Sequence, residues 1–230
     1  MSVYHNHKNV FPANIRTLLY SLVPSTYDEV APKIEFWIEY GLSEQFTTIE
    51  DLVEQLSSVA WNIPIERSDV PRFLKEFRDA PHRSEQARSL VDELCLRVLR
   101  WFAATSANDS LQMKNYGGAT AEGGGDGFVR VASFVGHSIK CGLFSHELVR
   151  CHLAKPLIHH NQNGYNVNPA VRASVIYQLF ATAGNALLQG LLEPKDVRAC
   201  FEILNRTSGI VGLNTARLDV RCDSYLDASH

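Results

Sequence analysis

This chain lacks the features that mark a membrane span, a secretory leader, a disulfide framework or a sheet. No stretch approaches the roughly 18 uninterrupted apolar residues that a spanning helix needs. Met1 to Val10 carries His5, His7 and Lys8 and no apolar run of the signal-peptide kind, so an intracellular location, cytoplasmic or nuclear, is expected. No CxxC pair occurs. Cys95, Cys141, Cys151, Cys200 and Cys222 are widely spaced and odd in number, which argues against a disulfide scaffold in a chain this long. No segment alternates apolar and polar residues between hairpin turns, so strands are not expected.

What is present is helical periodicity. The 230 residues, 45% hydrophobic and 20% charged, have ordinary globular composition and enough length to bury a core. Thr47 and Glu50 form a capping-box pattern, with Ile49, Leu52, Val53, Leu56 and Val59 at helical steps. Ser68 precedes Val70, Phe73, Leu74 and Phe77. Ser84 precedes a long helix with Ala87, Leu90, Val91, Leu94, Val98, Trp101 and Phe102 on one face. Phe128, Val131, Val135 and Ile139 lead to Gly142, a natural stop. Ser145 reads as the cap of a helix through Leu148, Val149 and Leu153. Asn168 and Pro169 open a helix expected to run to Gly190, and Pro194 opens another with Val197, Cys200, Phe201 and Leu204 inward. Two earlier helices are expected at about 12–22 and 32–40.

The fold expected is all-α. One helical domain covers 1–230, with antiparallel helix pairs stacked as a HEAT-like α-solenoid or gathered into a compact helical bundle. The connection 105–127 is rich in glycine and has little to bury, so a flexible insertion is expected there.

Motifs of catalysis fail on inspection. The glycine run has no GK[ST] ending and no preceding strand, so it does not read as a phosphate loop. His146-Glu147 begins like a zinc-protease motif, but Arg150 occupies the place of the second histidine. His137 and Cys141 sit four apart on one helix, with Cys151 and His152 on the next. Cys151 and His152 are adjacent and point about 100° apart, which makes joint ligation of one ion awkward. A nucleophile in this region has only Glu147 as an acid to orient a base. No catalytic residue, metal or cofactor is assigned.

The net charge of −3 is unevenly spread. Residues 1–60 carry three Lys or Arg against eight Asp or Glu, while 128–172 carries five against one. Arg130, Lys140, Arg150 and Lys155 are the candidate partner-binding residues. Arg130 and Lys140 fall some 80° apart around one helix, and Arg150 and Lys155 about 140° apart. At most two or three charges share a face, so RNA binding is expected to be weak or absent.

Within the same region, GFVRVASFVGHSIKCGLFSHELVRCHLAKPLI, Gly127 to Ile158, resembles the helix pair in the middle domain of the eukaryotic initiation factor 4 gamma scaffold. Phe134, Gly136, Lys140 and Leu143 carry the likeness, and Leu148, Cys151 and Leu157 continue it. Leu179 through Gly184 is similar to the pattern of the family's following helix, and VDELCLRVLR to the helix before the pair. The likeness spans about 85–205. His137 departs from it, standing where the family often has an acidic residue. The whole chain also looks like a group of uncharacterised fungal helical proteins.

The likeness implies a HEAT-like fold and a non-enzymatic scaffold or adaptor that binds a protein partner in RNA- or translation-related assemblies. The alternative is a small metal-binding or hydrolytic protein using the His/Cys cluster of 137–160. No membrane partner is expected.

Overall fold

In a computed structural model, the described residues are 14–64, 66–105, 124–154, 169–188 and 192–211. Among them every regular element is helical and none is a strand, as the periodicity requires. The helices are α1 (14–20), α2 (Tyr27–Ser43), α3 (Ile49–Asn62), α4 (Asp69–Asp79), α5 (Glu85–Thr105) and α6 (Gly124–Cys141). Then come α7 (His146–Val149), a π-helical turn Arg150–Ala154, α8 (Pro169–Ala183), α9 (Asn185–Leu188) and α10 (Pro194–Val211).

The boundaries have physical causes, and several differ from expectation. α2 starts at Tyr27, not near 32, and carries Pro32 inside it. A 3-10 turn over Pro24–Thr26 leads into it, Asp28 and Glu29 favour the positive helix end, and Val30 and Ala31 are buried, which together offset the hydrogen bond that Pro32 cannot make. The capping box of α3 lies one residue later than expected. Asp51 N–H donates to Thr48 Oγ1 at 3.1 Å and Thr48 N–H to Asp51 Oδ2 at 3.2 Å, while Thr47 is buried. The expected insertion 105–127 is shorter at both ends, because Thr105 belongs to α5 and Gly124 to Gly127 open α6; 106–123 falls outside the described residues. A growing helix gains one hydrogen bond per residue, and that gain competes with a glycine cost of only about 1 kcal/mol.

Gly142 stops α6 as expected. At φ +76° it donates its N–H to Ile139 O at 3.1 Å, and Leu143 N–H reaches Ser138 O at 2.9 Å, a Schellman closure. The helix expected to reach Gly190 breaks at Gly184, whose φ of +56° costs a residue without a side chain little. Its N–H still bonds Phe180 O, and α9 restarts the helix one residue on.

Ser68 precedes α4 but its hydroxyl makes no cap bond. Arg67 organises that corner instead. Its guanidinium holds Asp69 through two bonds of 2.7 and 2.6 Å and donates to Tyr20 O and Leu22 O at 3.1 and 2.7 Å. Arg67→Ala should cost about 1–2 kcal/mol, because it strips charged donors from two carbonyls, one on the last residue of α1 and one just beyond it. Urea denaturation would show the loss, and Arg67→Lys should not repair it, since an ammonium cannot span all four bonds.

Packing places α6 in the middle. It lies against α3 and α4 on one side of the chain's order and α8 and α9 on the other, while α5 packs on α2, α3 and α4. Contacts skip along the chain, as α3 with α6 does. Arg78 of α4 locks the junction by donating to Leu143 O at 2.8 Å. Buried side chains from Ile15 to Leu204 form one continuous core. Ile38, Leu56, Phe73 and Leu94 leave a gap of about 20 Å³ among them, too small for a ligand.

Candidate functional site

Arg130 and Lys140 both ride on α6, ten residues apart, hence about 15 Å along its axis. Arg130 is half-buried and donates to Asn62 O, the last residue of α3, at 3.3 Å, so it closes a helix end. Lys140 is exposed. Arg150 is exposed at the start of the π-helical turn, where its field adds to that of Lys195 on the Glu193 carboxyl. Lys155 lies outside the described residues. Cations from another helix stand by instead: Arg72 and Lys75 of α4 act on the Cys141 thiol next to Lys140.

The His/Cys grouping does not assemble among the described residues. No three His, Cys, Asp or Glu side chains gather there as ligands to a metal would. Cys141 is half-buried, its thiol donates to Ser138 O at 3.5 Å, and burial pushes it up. Cys95 is fully buried, and desolvation raises its thiol far above the ordinary range. Cys151 is exposed and His152 half-buried, beyond the turn that Gly142 begins.

The feature that stands out is on α2. Its inward stripe is Val30, Ala31, Ile34, Ile38 and Gly41. Phe36 and Tyr40, one turn apart on the other side, are 58% and 40% exposed. Their rings are parallel within 6° with centroids 5.8 Å apart. Half-buried Trp37 meets Phe36 edge-on at 5.7 Å, and Phe46 meets Tyr40 at 6.1 Å. Exposed Asp28, Glu29, Glu39 and Glu44 flank this row, with Lys33 as the one exposed cation of the helix.

The helix is held firmly from below. Glu35 accepts from the Arg83 guanidinium and from Ser84 N–H at 2.9 Å. Tyr27 donates its hydroxyl to Asp69 O at 2.6 Å and packs edge-on against Phe73; burial, with Asp69 nearby, pushes the phenol up to about 12.

Three residues beyond Phe46, Ile49 opens a groove of 480 Å³ between α3 and α5, lined also by Glu50, Val53, Glu93, Arg97 and Arg100. Among the described lining residues Ser89 is the one hydroxyl and none is a histidine that could activate it.

Periodicity missed the aromatic row because it counts apolar residues as core. The available signal was the i, i+4 pair Phe36 and Tyr40 set among acids in the acidic first quarter. No helix among the described residues is long and apolar enough to cross a membrane. No protein-family model, curated protein or solved structure matches the chain.

Proposed function

We propose that the protein is a non-enzymatic helical adaptor that docks a protein partner on the outer face of α2. The observation that carries this reading is the exposed, stacked pair Phe36 and Tyr40. Aromatic rings gathered on a rigid, well-anchored helix are the anchors that interfaces use, since they bury much area for little lost rotamer freedom. The resemblance to the middle domain of the initiation factor 4 gamma scaffold supports the same class of role, in RNA- or translation-related assemblies, by analogy of fold. RNA binding is weak or absent in this reading, because Arg130, Lys140 and Arg150 are spread out and Arg130 is already engaged.

Affinity capture from the source cell tests this, with wild type beside Phe36→Glu/Tyr40→Glu. Among the described aromatic contacts the two rings meet one another, Trp37 and Phe46, and they carry no part of the inward stripe. The variant should therefore stay folded, with a loss of about 1–2 kcal/mol that circular dichroism and a melt taken beside the capture would register. A protein held at fixed stoichiometry by wild type, rebinding when purified and lost with the variant, is the expected result. Identical captures by the two proteins would reject the α2 face as the docking site.

A further inference from the structure

We infer that the α2 face receives a basic amphipathic segment of a protein partner, one that sets arginine or lysine beside aliphatic side chains. This rests on the adaptor reading and adds the chemistry of the partner.

Charge complementarity selects it. Glu39 lies three residues after Phe36, and Glu44 four residues after Tyr40; Glu29 lies two turns before Phe36 on the same side. All three are exposed, and no ion pair engages them among the described residues. Glu35, by contrast, is already neutralised by Arg83. A guanidinium from a partner therefore finds the exposed Phe36 ring for cation–π contact and the Glu39 carboxylate within the same turn. Aliphatic neighbours of that arginine cover the rest of Phe36 and Tyr40. Competing occupants fit worse. A nucleic-acid strand can stack on the rings, but its phosphates meet carboxylates there. A neutral apolar helix desolvates Glu39 and Glu44 without supplying a counter-charge.

The test is selection of a random peptide library on the whole protein, with counter-selection on Phe36→Ala/Tyr40→Ala. Peptides that depend on the two rings should be net positive, with Arg or Lys beside aliphatic residues. A synthesised winner should lose about tenfold in affinity on Glu39→Lys/Glu44→Lys and weaken as salt rises. Acidic or neutral winners that still need the rings would overturn the partner chemistry while leaving the docking reading intact. A library yielding no ring-dependent peptide would overturn both. Sedimentation showing self-association that Phe36→Ala/Tyr40→Ala abolishes would assign the face to a second copy, and so overturn the inference.

Discussion

Gly136→Ala should destabilise the protein by about 2 kcal/mol, even though alanine is the better helix former by about 1 kcal/mol. Gly136 sits in the middle of α6 where α8 crosses it. A Cβ there collides with Thr182 Oγ1, lies 2.8 Å from Thr182 Cβ and comes within 3.2 Å of the backbone nitrogen of Ala183. The threonine cannot simply turn aside, because its hydroxyl donates to Gln178 O at 2.7 Å and its Cβ stays in place whatever the rotamer. Either the two helices part or both strain. For a chain of this size the expected loss is about 4–8 °C in melting temperature, and more for Gly136→Val. Thr182→Gly in the same chain should return part of it, giving a favourable coupling in a double-mutant cycle. A Gly136→Ala protein that melts like wild type would show that α6 and α8 do not cross at this point.

Glu35→Ala should cost about 2–3 kcal/mol and make stability less dependent on acid. Arg83 is only 10% exposed and Glu35 17%. Removing the carboxylate leaves a nearly buried guanidinium without its counter-charge and the Ser84 amide without its acceptor, the costly way to break a pair. Phe77, whose ring centre is 5.0 Å from the guanidinium carbon, softens the loss. Burial alone would raise the Glu35 carboxyl, but the Ser84 amide and the Arg83 guanidinium outweigh it and hold it below the ordinary carboxylate value. A lowered native value means that the unfolded chain binds the proton first. The pair's contribution is therefore complete above the ordinary carboxylate pKa and is lost as pH falls through the lowered native one. Urea midpoints at about pH 7 and about pH 3 should differ less for Glu35→Ala than for wild type. An equal drop in both proteins would mean that other carboxylates carry the acid sensitivity.

The all-α class was legible because amphipathic spacing is a backbone rule, and Phe73, Phe77, Leu94, Val135 and Val197 are buried as it demands. Helix ends were legible where one residue decides them, as Gly142 and Pro194 do. They were not legible where neighbours compete. Thr47 and Thr48 are both able to cap, and burial of the first gave the role to the second. Nor does the sequence reveal that Gly184, within an apolar run, turns left-handed. The candidate site was the least legible part. The cations of one sequence stretch, Arg130, Lys140 and Arg150, are spread along α6 and the turn beyond it, whereas Phe36 and Tyr40 face solvent because they ride on the side of α2 opposite Ile34 and Ile38.

The order of packing also sets an order of opening. α10 rests chiefly on α8, and α8 and α9 reach the N-terminal helices chiefly through α6. The free energy protecting an amide cannot exceed that of the surface its helix leans on. In native-state hydrogen exchange α10 should therefore open first, α8 with α9 next, and the helices gathered around α5 and α6 last. Val197 and Leu204, fully buried though they are, should then belong to the part of the core that water reaches first.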